Sequence, residues 1–277
     1  MLLRPLVCTG LVALTAAGHA PATLRYEISV RGTAAGMRVE RTGGGPAEGT
    51  FAPRPVGMRA VVAVALADSA GGRSVRASMD SLDDGRPAQA AAAGEPQGPG
   101  VRIVRPDDGL PATGAKWSAR IDAAGRLAAL RVDSRSRGSR TLDDVVPLLL
   151  PYVPGRLSKG AAWSDTTDVT APTPDGSQHL RMVTAYRVAG EEQVQGAKVW
   201  RVEVALDGTR ETKAAVQDET LTTTAATKGR GIYHFGRDGR LVDGRLEREH
   251  QVRFEAGALA APVTGTGADT VRVALSR

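Results

Sequence analysis

The sequence predicts a mainly β protein: a curved antiparallel meander sheet, or half-barrel, of about eleven or twelve strands, with a short helix packed on one face. Three observations carry this expectation. Apolar and charged residues alternate with period two over much of the 277 residues. Gly, Asp or Pro bounds each alternating segment, and only one stretch holds apolar residues at helical spacing.

Taken in chain order, Tyr26, Ile28 and Val30 alternate with Arg25, Glu27, Ser29 and Arg31. Ala60, Val62, Val64 and Leu66 form the next apolar row, followed by Val75, Ala77 and Met79. The turn Asp122–Arg126 joins a strand through Trp117, Ala119 and Ile121 to one through Leu127 and Val132. Leu180, Met182, Thr184, Tyr186 and Val188 share a face opposite His179, Arg181 and Arg187. Trp200, Val202, Val204 and Leu206 repeat the pattern opposite Arg201 and Glu203. Gly236–Arg240 joins the strand of Tyr233 and Phe235 to a long one from Leu241 to Phe254, and Val271, Val273 and Leu275 form the last. One apolar and one charged face per strand suits an antiparallel sheet with one wet side. Both turns place Gly where positive φ is needed.

The exception is 140–150. Thr141 is expected to cap a helix, with Asp143 and Asp144 in its first turn and Val145, Leu148 and Leu149 at helical spacing. Pro147 and Pro151 limit it to about two turns. Thr42–Gly57 and Arg86–Gly100, rich in Gly, Pro and Ala, are expected as surface loops.

Composition narrows the function classes. The chain is 42% hydrophobic and 24% charged, which excludes collagen-like, disordered and polytopic membrane readings. Aromatics are only 4%, so Ala, Gly, Val and Leu carry the core. The net charge of +6 raises the question of nucleic acid, but the Arg residues are scattered and alternate with acids, as in Arg245–Glu249, with no aromatic stacking platform. No nucleic-acid partner is expected. Residues 1–20 read as a Sec-type signal peptide: Arg4, an apolar run from Leu6 to Ala17, and Gly18-His19-Ala20 before the cleavage site. That run is too short to span a bilayer, and no later stretch is longer, so no transmembrane segment is expected. The lone Cys8 lies within the signal. The expectation is a secreted or periplasmic protein with a single β domain over 21–277.

The residues of chemistry are sparse. His179, His234 and His250 are isolated in sequence, with no zinc-ligand spacing, and Asp83-Asp84-Gly85 and Asp107-Asp108-Gly109 read as turns. Ser177-Gln178-His179 reads as a loop fragment without an orienting acid, and no G-x-S-x-G or S-x-x-K occurs. Asp68-Ser69-Ala70 after an apolar strand reads as a turn, since aspartic-protease chemistry needs a second carboxylate loop. Gly43-Gly44-Gly45 lacks the Lys and helix of a phosphate loop. No cofactor, metal site or catalytic residue is expected; a hydrolase with an unrecognised site is the least favoured reading.

Leu150-Pro-Tyr-Val-Pro-Gly-Arg-Leu-Ser-Lys-Gly-Ala-Ala-Trp163 and Gly229-Arg-Gly-Ile-Tyr-His-Phe-Gly-Arg-Asp-Gly-Arg-Leu241 resemble motifs of an uncharacterised family of secreted bacterial β-rich proteins. With the Asp122–Leu127 hairpin the resemblance covers roughly 100–256. It implies that Trp163 opens a long strand, and a shape similar to the LolA/LppX half-barrel, a curved sheet around an apolar cavity that accepts acyl chains. It brings no activity and no catalytic residues. The leading expectation is therefore a non-enzymatic envelope protein binding a lipid or other apolar ligand. Leu180, Met182, Tyr186, Trp200, Val202, Val204, Tyr233 and Phe235 are its lining. The alternative is a structural or protein-interaction domain whose sheet closes on its own side chains.

Intact-mass measurement of the exported protein is expected to give a mature N-terminus within two residues of Pro21; a mature form that retains Cys8 contradicts the signal reading.

Overall fold

The computed structural model describes residues 22–39, 54–69, 71–84, 110–216, 219–255 and 263–276. The expected signal, the expected loop over 86–100 and most of the one over 42–57 lie outside these residues. Residues 54–57 belong to a strand rather than a loop.

The first five strands are β1 (Ala22–Val39), β2 (Arg54–Ser69), β3 (Gly72–Asp83), β4 (Lys116–Asp122) and β5 (Leu127–Ser134). After a long connection come β6 (Ala162–Thr173), β7 (Gly176–Val194), β8 (Ala197–Val216), β9 (Glu219–Phe235), β10 (Leu241–Glu255) and β11 (Val263–Leu275). They form one antiparallel sheet in the order β5-β4-β3-β2-β1-β11-β10-β9-β8-β7-β6. The meander is thus interrupted once. The terminal strands β1 and β11 pair in the middle, with Ile28 opposite Val273, while β5 and β6 become the two edges.

The sheet curls until β5 and β6 lie alongside each other, an almost closed barrel. Alternation fixes which side is inside. Tyr26, Ile28, Val62, Val64, Trp117, Val202, Phe235 and Leu246 are all buried in one core. The opposite face carries Arg25, Glu27, Arg76, Arg187, Glu203, Arg245 and Glu247. A charged exterior faces water, the reverse of the apolar outer band of a membrane barrel.

Every neighbouring pair is antiparallel, so in an eleven-stranded order the two edge strands run the same way. A hairpin cannot join parallel neighbours; a crossover is required. Residues 135–161 supply it, and they run through the barrel. Ser136, Arg137 and Ser139 are buried, as are Leu142, Asp143 and the stretch from Val145 to Leu149. Leu142, Val145, Val146, Leu148 and Leu149 join the same core as the strands.

This is where the expected helix lies, and it departs from expectation. There is one α-helical turn, α1 (Ser139–Leu142), entered through Gly138 at φ 74° rather than capped by Thr141. A 3₁₀ turn follows over Val146–Leu149, with Pro147 near its start. Asp143 and Asp144 are not first-turn acids but ion-pair partners within the barrel. Their pairing replaces the helix-dipole role that local sequence suggested.

The two expected hairpins are present, with Gly125 at φ 88° and Gly239 at φ 78°. Two further glycines serve the sheet itself. Gly231 faces Val204 on one side and Leu246 on the other; a Cβ there would lie 2.0 Å from the Arg245 carbonyl oxygen. Gly244 faces Tyr233, whose ring occupies the position a side chain would take, 2.6 Å from a Cβ. Gly231→Ala is therefore expected to lower stability by about 1–3 kcal/mol in urea unfolding. Gly57→Ala, which meets nothing within 4 Å, is expected to stay within about 0.5 kcal/mol of wild type. Equal losses would show that the close approach at Gly231 is not limiting.

Candidate functional site

The residues expected to line a cavity are all brought together. Leu180, Met182 and Tyr186 project inward from β7, Trp200, Val202 and Val204 from β8, and Tyr233 and Phe235 from β9. Register sets Tyr186 opposite Val204, Val202 opposite Tyr233 and Trp200 opposite Phe235. Seven are buried in one core, and Trp200 packs at its margin.

The space they face is occupied by the crossover. At the end holding the tight hairpins, Tyr152, Val153 and Leu157 cover the interior. Trp163 donates through Nε1 to the Tyr152 carbonyl at 2.9 Å and stacks on Tyr186 with centroids 4.9 Å apart. Arg126 lies 5.0 Å over the Tyr152 ring and 3.6 Å from Asp165 on β6, bridging the seam between the edge strands. Deeper in, the aliphatic residues of Val145–Leu149 fill the middle. One cavity beside Leu180, Met182 and Leu206 measures about 20 Å³. That is room for a water molecule, far below the roughly 300 Å³ at which ligand pockets begin.

The other half of the interior is polar, and sequence reasoning missed it. Five charged residues of the crossover pair within it or with the wall. Arg135 contacts Asp143 closely, and Trp117 Nε1 donates to the same carboxylate at 2.8 Å. Arg137 lies 3.1 Å from Asp84 of β3's end, and Arg140 contacts Asp175 in the β6–β7 turn. Arg210 of β8 donates to Asp144 at 2.8 Å. Burial pushes the Asp143 carboxyl above the usual range, against the pull of Arg135 and the Trp117 hydrogen bond.

Next to these, on the wall, Arg248 donates through Nε and Nη2 to both oxygens of Asp269, each at 2.8 Å. His250 Nε2 lies 3.1 Å from Asp269 and its Nδ1 3.0 Å from Thr227 Oγ1. Burial alone would raise Asp269, but hydrogen bonds from His250 and Arg248 and the Arg248 charge hold it down at about 2. The signal in sequence was phase: Arg248 and His250 share the inward face with Leu246.

A carboxylate, an imidazole and a hydroxyl in series is the order used by nucleophilic hydrolases. Here both carboxylate oxygens are held by the buried Arg248 guanidinium, and the adjacent cavity measures about 20 Å³. Ser177-Gln178-His179, expected as a loop, belongs to β7; Gln178 turns inward and His179 pairs outside with Asp168 at 2.8 Å. Asp68 lies at the surface, 3.8 Å from Arg73. His234 contacts Asp243 and lies 3.3 Å from Glu192. Among the described residues no three His, Cys, Asp or Glu side chains converge on a metal position. Comparison with family models and with curated proteins finds no match.

Removing Arg248 strands Asp269 in the interior, so Arg248→Met is expected to cost about 3–5 kcal/mol. The double variant Arg248→Met/Asp269→Leu is expected to recover most of it; denaturant titration of the single and double variants tests this. Acid titration gives an independent reading. A carboxyl with its folded pKa held at about 2 stabilises the fold above its ordinary pKa near 4. That contribution, roughly 2 kcal/mol, is expected to fade between pH 4 and 2, and to be absent from the double variant.

Proposed function

We propose that the protein is an exported, non-enzymatic β-barrel that acts through its outer surface as an envelope interaction domain, with its interior sealed by its own chain. One observation carries the reading: the aliphatic residues of the crossover pack in one core with the barrel wall, and the cavity beside Leu180, Met182 and Leu206 measures about 20 Å³. The signal-like residues 1–20 and the resemblance to secreted bacterial β-rich proteins support export. The charged exterior supports life in water rather than in a bilayer. Among the described residues no helix is long and apolar enough to cross a membrane.

The same geometry argues against the carrier reading that the half-barrel shape suggests. Seven of the eight residues expected to line a lipid cavity are buried in one core with the crossover, and Trp200 packs against it. Organic extraction of the purified protein is expected to release no acyl lipid, and titration with fatty acids of medium to long chain is expected to leave Trp200 emission unchanged. Stoichiometric co-purified lipid, or saturable quenching, overturns the proposal and restores the carrier.

A further inference from the structure

The outer surface is not uniform. Over much of it the charged residues neutralise one another: Arg25 with Asp80 at 3.4 Å, Arg131 with Asp133 at 3.1 Å, Lys213 with Glu211 at 3.0 Å, Arg245 with Glu247 at 2.8 Å. Several exposed arginines, among them Arg59, Arg76 and Arg120, have no ion-pair partner among the described residues, and one stretch of β7–β8–β9 brings two more together. It holds an open groove of about 400 Å³ whose outward-facing side chains are Ala185, Arg187, Glu203, Ala205 and Arg230. The guanidinium groups of Arg187 and Arg230 have no ion-pair partner among the described residues.

Register gives the layout. One row across the strands reads Ala185–Ala205–Arg230, and the next reads Arg187–Glu203–Ile232. The two alanines remove side-chain bulk from the middle of the sheet and leave an apolar floor. Next along β7 is Val183, 38% exposed, the one exposed large hydrophobic residue among those described. The two arginines stand at opposite corners, roughly 12 Å apart at Cα from strand spacing and rise, with Glu203 between them.

We infer that this groove docks an extended, acidic peptide segment of a partner protein. The inference rests on the surface-acting reading above and names its partner's chemistry. Each arginine offers a planar fork matched to a carboxylate. The alanine floor and Val183 take small aliphatic side chains between the acids. Glu203 accepts a peptide N–H or a basic side chain, and repels the concentrated charge of a phosphate group. A spacing of roughly 12 Å fits carboxylates four residues apart on an extended strand, at about 3.3 Å per residue. The net charge of +6 favours encounter with an acidic partner.

The test is fluorescence anisotropy at low salt with labelled Glu-Val-Ala-Val-Glu, against Lys-Val-Ala-Val-Lys, inorganic phosphate as competitor, and anionic phosphatidylglycerol vesicles. The proteins are wild type, Arg187→Glu/Arg230→Glu, and Ala205→Trp, which fills the floor, each checked for unchanged circular dichroism and melting. The acidic peptide is expected to bind wild type and to weaken at least tenfold in both variants, with the lysine peptide silent and millimolar phosphate unable to displace it. No binding of the acidic peptide, equal binding of the lysine peptide, undiminished binding by the double variant, displacement by phosphate, or binding of vesicles alone each overturns it. Lipid extraction stays the separate test of the sealed interior, so a failed groove and a failed barrel give different results.

Discussion

An antiparallel sheet with an odd number of strands cannot close antiparallel, because its two edges point the same way. In this chain that constraint falls on β5 and β6, and it forces a connection that returns along the barrel instead of turning at its rim. The width of the barrel decides where that connection goes. About eight strands give an interior that side chains alone can fill; eleven give a wider one. With 4% aromatic residues the wall carries mostly Val, Ala and Leu, too short to meet across the middle. The crossover is the filler. Parity makes it necessary and width gives it room.

Passing a chain through the barrel brings its polar groups inside, and the structure separates the two problems along the axis. Tyr152, Val153, Leu157 and the aliphatic residues of Val145–Leu149 meet the apolar wall near the hairpin end. The charged residues Arg135, Arg137, Arg140, Asp143 and Asp144 meet Asp84, Asp175, Trp117 and Arg210 further along. Buried ion pairs are weak stabilisers, since desolvation offsets most of their attraction. Their effect here is registration: a crossover shifted by one residue would leave both Asp143 and Arg210 facing the wrong groups. The Arg248–Asp269–His250–Thr227 series continues that polar end into the wall.

The sheet was legible because alternation is a local property. The rows at Tyr26–Val30, Ala60–Leu66, Leu180–Val188 and Trp200–Leu206 fall inside β1, β2, β7 and β8 with the expected face inward. The Thr-rich first half of β9, from Glu219 to Thr227, was not legible, having no apolar row. The break in the meander was not legible either. Strand order depends on which edges meet, and β1 beside β11 is a contact between the two ends of the described chain. The α1 region misled for a related reason: Thr141, Asp143 and Asp144 form a reasonable helix start by themselves, and only the arginines of the wall and crossover show what the aspartates do.

The same limit applies to the site. Alternation showed that Leu180, Met182, Tyr186 and Phe235 share an interior, but not what covers them. Magnitudes separate a core from a cavity once the cover is known. To admit a lipid, the crossover would have to expose Leu142, Val146, Leu148 and Leu149. At roughly 1.5–3 kcal/mol each, that costs on the order of 6–12 kcal/mol before any ion pair is broken. An acyl chain entering the barrel would only restore contacts the wall already has, while the displaced side chains stayed in water. The cost is of the same size as the whole binding free energy of a micromolar to nanomolar ligand, about 8–12 kcal/mol. A lipid inside this barrel would have to offset that cost before it gained any net affinity, which is the physical reason the proposed function is placed on the outer face.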